Sequence, residues 1–486
     1  MTMKKAPHRI LCWDDKIIEK SENIQIQAHK PEKKNIALVC DNEWEGVHNG
    51  YAGLIKMGDT YRLYYRADSS HHRLDKAPVP GRPVICVAES RDGGITFRKP
   101  NVGKYEYNGT KNNNIVFSRE KWVDNFSVFY DDNPDCPQNE KFKALSEVNL
   151  GSNGGTKLIY YASADGYDFQ EQYVLDVQGT FDSYNVALWD ETTKQYFLYY
   201  RAFHTPAGED RLSWKGYTPD CLRDIRVATS KDFKHWEIHG RISFEEGQTE
   251  YQLYTNQIMR YYRTDDIFIG FPVRYYDRVE EKRNFHFMPL GDRHENITGV
   301  FGREGTAVTD CVIMTSSDGF KFDRRDEAFM TPGVEARDNW WYGNCYTAYG
   351  LAETEAEEDG APNEISFYMG ENYRIKNVNF RRYTLRLDGF FSFFAPYRGG
   401  EILTKPITVD GNELFINFAT SALGGVSVAL CDEDGNELDG YRSYTMFGDS
   451  VHRPVEFEKS LSEIIGKAVR LKIKMSDAHL YSFVFL

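Results

Sequence analysis

The stretch NVALWDETTKQYFLYYRA (185–202), followed by IRVATSKDFKHW (225–236), decides the fold. An Asn opens a strand-like run, an aromatic and β-branched run follows, and a third run ends near a Ser-x-Asp turn. This order recurs five times along the chain, anchored on Asn49, Asn125, Asn185, Asn256 and Asn344 at intervals of 76, 60, 71 and 88 residues. The second runs read YRLYYRA (61–67), KFKALS (141–146), YFLYYRA (196–202), IFIGFPV (267–273) and EISFYMG (364–370). The third runs include ICVAESRDGGITF (85–97), LIYYASADGYDF (158–169), VIMTSSDGFKF (312–322) and RRYTLRLDGFFSF (381–393). A repeating cycle of short strands predicts an all-β propeller, with one blade per cycle and therefore five blades. Asn favours turn-to-strand junctions in many folds, but here three features keep their order in units of unequal length.

Composition agrees. The chain has 486 residues, with 32 Tyr, 31 Phe and 8 Trp, a content that suits pleated surfaces packed on aromatics. A net charge of −14 argues against nucleic acid or an anionic membrane as partner. The opening MTMKKAPHRILCWDDK lacks the apolar core of a signal peptide, which makes a cytoplasmic location the expectation. Eight scattered cysteines without a C-x-x-C pair suggest reduced core thiols rather than disulfides or structural zinc. No nucleotide fingerprint is present, and neither metal nor cofactor is expected; self-association is left open.

The limits of the repeats set the expected domains: an extension over residues 1–40, the propeller over 41–398 and a small β-sandwich over 399–486, where turns such as DGN (410–412) and EDGN (433–436) separate short runs. Within the extension, NIQIQAHK (23–30) alternates like a strand that closes the ring by joining the last blade.

The Ser-x-Asp turns of Asp92, Asp165, Asp232 and Asp318 are read as structural, because Ser and Asp bond their own backbone there and, in all but the Asp232 turn, a following Gly supplies a positive φ. The strand ends that share one mouth offer the chemistry instead. Glu45, His48 and Asn49 come from the first repeat, with Arg66 ending its second run; Asp124 and Asn125 come from the second. The third repeat gives Asp182, Asn185, Arg201, Arg223 and Asp224. The fourth gives Glu250, Asn256, Arg274 and Asp310, and the fifth Tyr342 and Asn344. Carboxylates interleaved with arginines suit glycosidic cleavage, in which one carboxyl group protonates the leaving oxygen and another acts as base or nucleophile.

The phrases DNEWEGVHNGY (41–51), LYYRA, RDIRVATSKDFKHW (223–236), TDCVIMTSSDGFKF (309–322), RYTLRLDGF (382–390) and the YSFVFL end resemble a group of bacterial five-bladed-propeller glycoside hydrolases, related in fold to glycoside hydrolase families 32 and 43. Such proteins often carry a C-terminal β-sandwich. Arg223-Asp224-Ile225 is similar to the Arg-Asp-Pro element of family 32, and the resemblance implies a substrate- and transition-state-stabilising role for Asp224. The family's Asn-Asp-Pro and Glu-Cys motifs are absent, so the acid and base fall to other carboxylates. The expectation is a glycosidase removing a terminal sugar from an oligosaccharide or glycoside in a central funnel, with Glu45, Asp182, Asp224 and Glu250 as catalytic candidates. Two alternatives remain: a hydrolase or phosphorylase acting on an acidic sugar held by the arginines, and a non-catalytic carbohydrate-binding propeller.

Overall fold

The second runs hold consecutive bulky residues because their strands are packed on both faces, and successive side chains of a strand point to opposite sides. Tyr64 and Tyr65 are both buried on this principle, as are Tyr199 and Tyr200. The computed structural model describes residues 9–70, 81–119, 123, 125–149, 156–287, 305–334, 336 and 338–486. Among these the regular structure is β, with short 3₁₀ turns and no α-helix.

Three sheets follow the chain in simple antiparallel order. The first is Gly50–Met57, Thr60–Asp68, Pro83–Ser90 and Ile115–Phe117; the second is Phe126–Tyr130, Phe142–Asn149, Thr156–Ser163 and Gln170–Val174. The third is Val186–Asp190, Gln195–His204, Leu222–Ser230 and Glu237–Arg241, with Asp210–Arg211 added at its edge. The fourth group is split into two parts, Phe268–Gly270 with Met314–Ser316 and Val273–Asp277 with Ala307–Cys311. Pro272 falls at the break, where a residue without an N–H interrupts a ladder. The fifth sheet is Ala352–Thr354, Glu364–Glu371 and Asn379–Arg386, completed by Glu32–Val39 from the N-terminal region.

That last pairing corrects the sequence reading of the closing strand. The segment 23–30 does form a strand, Gln25–Ala28, but it pairs with Phe391–Ala395 in the C-terminal sheet. The strand that joins the fifth sheet reads EKKNIALV, and its charged start hid the signal. Charge is tolerated there because an outermost strand keeps one edge in water.

Apolar clusters join these groups in succession. Ile55, Tyr64 and Val87 pack on Phe126 and Tyr161. Leu145 and Tyr160 meet Tyr196 and Leu198. Tyr199 and Ile225 meet Phe268 and Phe322. Ile269 and Phe271 meet Ile365 and Phe367, and Tyr368 and Phe380 return against Leu63 and Tyr65 of the first sheet. The Ser-Asp turns serve these joints. Tyr64 donates to the Gly166 carbonyl, Tyr199 to Gly319 and Tyr368 to Gly94, each reaching the turn of the next sheet. Gly166 and Gly319 have φ near +75° and +80°, and a Cβ on either would lie 2.5 or 2.7 Å from the tyrosine hydroxyl, so glycine is required twice over.

A ten-stranded sheet occupies the C-terminal region. Its two 18-residue strands, Leu414–Cys431 and Ala468–Phe485, pair along most of their length and enclose a core that includes Ile416, Val428, Leu471, Ile473 and Phe483. Arg9–Leu11, Ile18–Glu22 and Gln25–Ala28 also belong to this sheet, so the N-terminal region is divided between it and the fifth sheet. Asp388, fully buried, ties the regions together. It pairs with Arg263 at 2.7 Å and Arg9 at 3.5 Å, and accepts from Tyr261 and Ser482.

Candidate active site

The five anchoring asparagines are buried, and their amides bond to backbone. Asn49, Asn125, Asn185 and Asn344 accept from the N–H groups of Asp68, Glu147, Arg201 and Tyr373, at 3.2, 2.9, 3.1 and 3.4 Å. Asn256 departs from this pattern, accepting from Ile258 and donating to the Tyr184 carbonyl. The sequence reading placed these side chains against substrate. In the structure the backbone bonds of four of them fix where a second strand ends beside the start of a first.

The residues positioned in this way meet in an aromatic and cationic cluster. Tyr51 lies 5.8 Å from Tyr184 in a stacked pair and 6.1 Å from Tyr346. Tyr254 adjoins Tyr346, Tyr275 and Tyr342, and the Tyr342 hydroxyl donates to that of Tyr254 at 2.8 Å. Arg66 sits over Tyr51, Arg201 and Arg223 over Tyr254, and Arg374 over Tyr373. Tyr51 and Arg374 have φ of +46° and +58°, conformations unfavourable for large side chains that persist only where surrounding packing enforces them.

His48 is held within this cluster. Its Nδ1 lies 3.1 Å from Asp68, while Nε2 lies 2.9 Å from Arg66 and 3.3 Å from Arg374. A guanidinium only donates, so Nε2 accepts and the Nδ1 proton goes to Asp68.

Two carboxyl groups complete the site. Glu147 ends the second strand of the second sheet; burial, and next the charge of Asp182, push its pKa up to about 8, against the opposing pull of Arg201, Asn125 and Arg119. Asp182 is half-exposed and lies 3.6 Å from Arg201. The two therefore offer unlike environments side by side, the condition that separates an acid from a base.

The remaining candidates are distributed elsewhere. Asp224 and Glu250 meet through His204, whose Nδ1 is 3.0 Å from Asp224 and whose Nε2 is 2.6 Å from Glu250. The hydrogen bond to Asp224 is the main reason His204 titrates above its ordinary value, with burial opposing. Arg226 completes this network, binding Asp224 and Asp210. Because neighbouring residues on a strand face opposite sides, Arg223 turns toward Tyr254 and Tyr275 while Asp224 turns toward His204 and Arg226. Glu45, expected at the mouth, is enclosed by Lys99, Tyr65 and the Asn42 N–H. Burial is the leading reason its pKa is raised. Arg274, expected beside Arg66 and Arg201, instead forms a two-pronged pair with Asp310 directly across its ladder, at 2.9 and 2.6 Å. Asp124 lies outside the described residues.

Sequence reasoning missed Glu147, Arg374, Tyr51, Tyr254 and Tyr346. For Glu147 a signal existed. The second run of its repeat was closed at Ser146, one residue short of the position that the asparagine anchor makes equivalent to Arg201. Arg374 gave none, since it lies in the irregular segment after Glu364–Glu371.

No family model and no curated protein matches the chain. Solved structures with a related fold include a glycosyl hydrolase from Bacteroides ovatus, with 12% identity over 77% of this protein and 96% of that one, at a TM-score of 0.40. A glycoside hydrolase family 43 arabinoxylan arabinofuranohydrolase from Bacillus subtilis, in complex with cellotetraose, matches at 11% identity over 91% of this protein and 80% of its own length, with a TM-score of 0.32. An N-acetylgalactosamine deacetylase from F. plautii, in complex with blood group B trisaccharide, matches at 10% identity over 90% and 96%, with a TM-score of 0.42. At these scores the overlap is partial, and the reading of the site rests on its own residues.

Proposed function

We propose that this protein is a glycoside hydrolase built on a five-bladed β-propeller, the C-terminal sheet forming a β-sandwich beside it. The succession of apolar clusters from the first sheet group round to the fifth and back supports five blades, and the single core enclosed by the two 18-residue strands supports the sandwich. For the chemistry, one observation carries the reading: Glu147 is a partly buried carboxyl group whose pKa is pushed up to about 8, next to the half-exposed carboxyl group of Asp182.

A glycosidic oxygen leaves readily only when it receives a proton as its bond to carbon breaks. Glu147 supplies that proton. Once it has done so, Arg201 and Arg119 favour the anion left behind. Asp182 serves as the partner, acting on water or on the anomeric carbon. The rings of Tyr51, Tyr254 and Tyr346 offer flat apolar surfaces against which the C–H face of a sugar packs. A protein that only bound sugar would have no need of a carboxyl group with so raised a pKa beside a second carboxyl group. Screening the full-length protein against a panel of oligosaccharides and alkyl glycosides, with Glu147→Gln in parallel, tests this reading. Release of sugar by the parent and its loss in the variant is the expected result; equal release by both refutes it.

A further inference from the structure

Arg201 and Arg223 are neighbours in the site. Both guanidiniums lie over the Tyr254 ring, at 5.4 and 5.1 Å, and over the Phe203 ring, at 5.2 and 5.5 Å. Two like charges on one aromatic floor repel, and in buried surroundings that repulsion is weakly screened. Their partners balance it unequally. Arg201 donates Nε–H to the Thr180 carbonyl and has Asp182 at 3.6 Å. Arg223 donates to the neutral side chain of Gln252, and among the described residues no carboxylate lies within 4 Å of it.

Three buried polar atoms here also make no hydrogen bond: Arg201 Nη2, whose nearest carboxylate is Asp182 at 3.6 Å, Arg223 Nε and the Tyr346 hydroxyl. The two arginines are 3% and 5% exposed. A buried donor without an acceptor is unfavourable, and a charged one strongly so. Arg66 and Arg374, joined through His48, belong to the same cluster, and the other nitrogen of that histidine meets Asp68.

We propose that Arg201 and Arg223, with the Tyr346 hydroxyl, form a recognition site for an oxyanion that enters with the sugar. The shared chemistry is a carboxylate- or phosphate-type group accepting from Arg201 Nη2, Arg223 Nε and the tyrosine hydroxyl. It has two sources: the carboxylate of a uronic acid unit in the substrate, or inorganic phosphate bound as a second ligand. This inference deepens the glycosidase reading by naming the substrate class of the same site; Arg223 and Tyr346, which take no part in the proton transfer, keep it separately testable.

The test is titration calorimetry on the full-length protein with galacturonate and glucuronate, their neutral counterparts galactose and glucose, and inorganic phosphate. The parent is expected to bind a uronate at least about tenfold more tightly than its neutral counterpart, or to bind phosphate. Arg223→Gln is expected to reduce that binding by about ten- to a hundredfold, the range for hydrogen bonds to charged groups. Arg223→Lys keeps the charge without the planar fork and restores it only in part. Tyr346→Phe, a smaller change, gives a second readout should either arginine variant fold poorly. Preference for a uronate assigns the group to the sugar, and phosphate binding assigns it to a second ligand. Equal affinity for acidic and neutral sugars with no phosphate binding overturns the proposal, as does anion binding unchanged in Arg223→Gln and Tyr346→Phe. Because these are binding measurements, anion recognition without any glycoside turnover refutes the hydrolase reading alone, and turnover of neutral glycosides without anion binding refutes this inference alone.

Discussion

Replacing Glu147 by Gln keeps the shape of the side chain and removes its proton donor. The carboxyl group rises from its ordinary 4.5 to about 8, chiefly through burial. At about 1.4 kcal/mol per pH unit this corresponds to on the order of 4 to 5 kcal/mol against ionising it in place. Two consequences follow, and they have opposite signs. Turnover of an alkyl glycoside falls by about 10² to 10⁴, the usual contribution of a positioned acid, while an aryl glycoside with a good leaving group loses less. Stability changes the other way. A group whose folded pKa is raised contributes fully below its unfolded value and loses that contribution as pH rises through the folded one. Glu147 therefore weighs progressively against the folded state between about pH 4.5 and 8. Glu147→Gln is free of this, and is expected to melt close to the parent at pH 5 and above it at pH 9. The parent's kcat/KM should also fall along an alkaline limb centred near 8, absent from the residual activity of the variant. The assay is a pH–rate profile with calorimetric melting on both proteins. An unchanged alkaline limb in Glu147→Gln, or alkyl-glycoside turnover within a factor of a few of the parent, refutes the reasoning.

Other changes separate framework from chemistry. Asp388→Asn leaves Arg263 and Arg9 facing a neutral amide, with an expected loss of about 3 to 5 kcal/mol in denaturant unfolding. Burial alone would raise the Asp388 pKa, but Arg263 and Arg9 outweigh it and hold it below its ordinary 3.8, so its stabilisation is present above about that pH and declines in acid below it. His204→Gln should lower the melting temperature more at pH 6 than at pH 9, because a raised histidine pKa stabilises below its ordinary 6.5 and ceases to as pH passes the folded value. Arg274→Ala is expected to cost about 1 kcal/mol of stability or less, as for a partly exposed pair, and to leave sugar binding unchanged. Truncation after Pro396 removes Ala468–Phe485, the partner of Arg9–Leu11 and Phe391–Ala395, and should abolish cooperative melting.

The repeat was legible because each cycle must solve the same physical problem. A strand packed on both faces needs consecutive large side chains, and its start needs an amide to satisfy the backbone of the next strand. YRLYYRA and the asparagine anchors therefore stood out, and so did the Ser-Asp turns. What the repeat could not give was direction. Arg66, Arg201 and Arg274 look alike in sequence, yet the first two face the tyrosines while Arg274 meets Asp310 across its ladder. Asp224 looked like a site residue beside Arg223, and strand alternation sends the two apart. Glu45 precedes its anchor as Asp182 does, but Lys99, 54 residues further along the sequence, encloses it. Such partners are set by tertiary packing and leave no local trace. Glu147 is within reach of the pattern, since its N–H donates to its asparagine anchor as that of Arg201 does, one residue beyond the KFKALS run.

On the proposed function, sugar binds where Glu147, Asp182, Arg201, Arg223 and the tyrosines meet. A crystal structure of Glu147→Gln soaked with an oligosaccharide that the parent cleaves tests this most directly. The expected result is a sugar ring packed on Tyr51, Tyr254 or Tyr346, its glycosidic oxygen within hydrogen-bond distance of residue 147 and Asp182 beside the anomeric carbon. Sugar bound instead at His204 and Glu250, or on the C-terminal sheet, with this site empty, would contradict it.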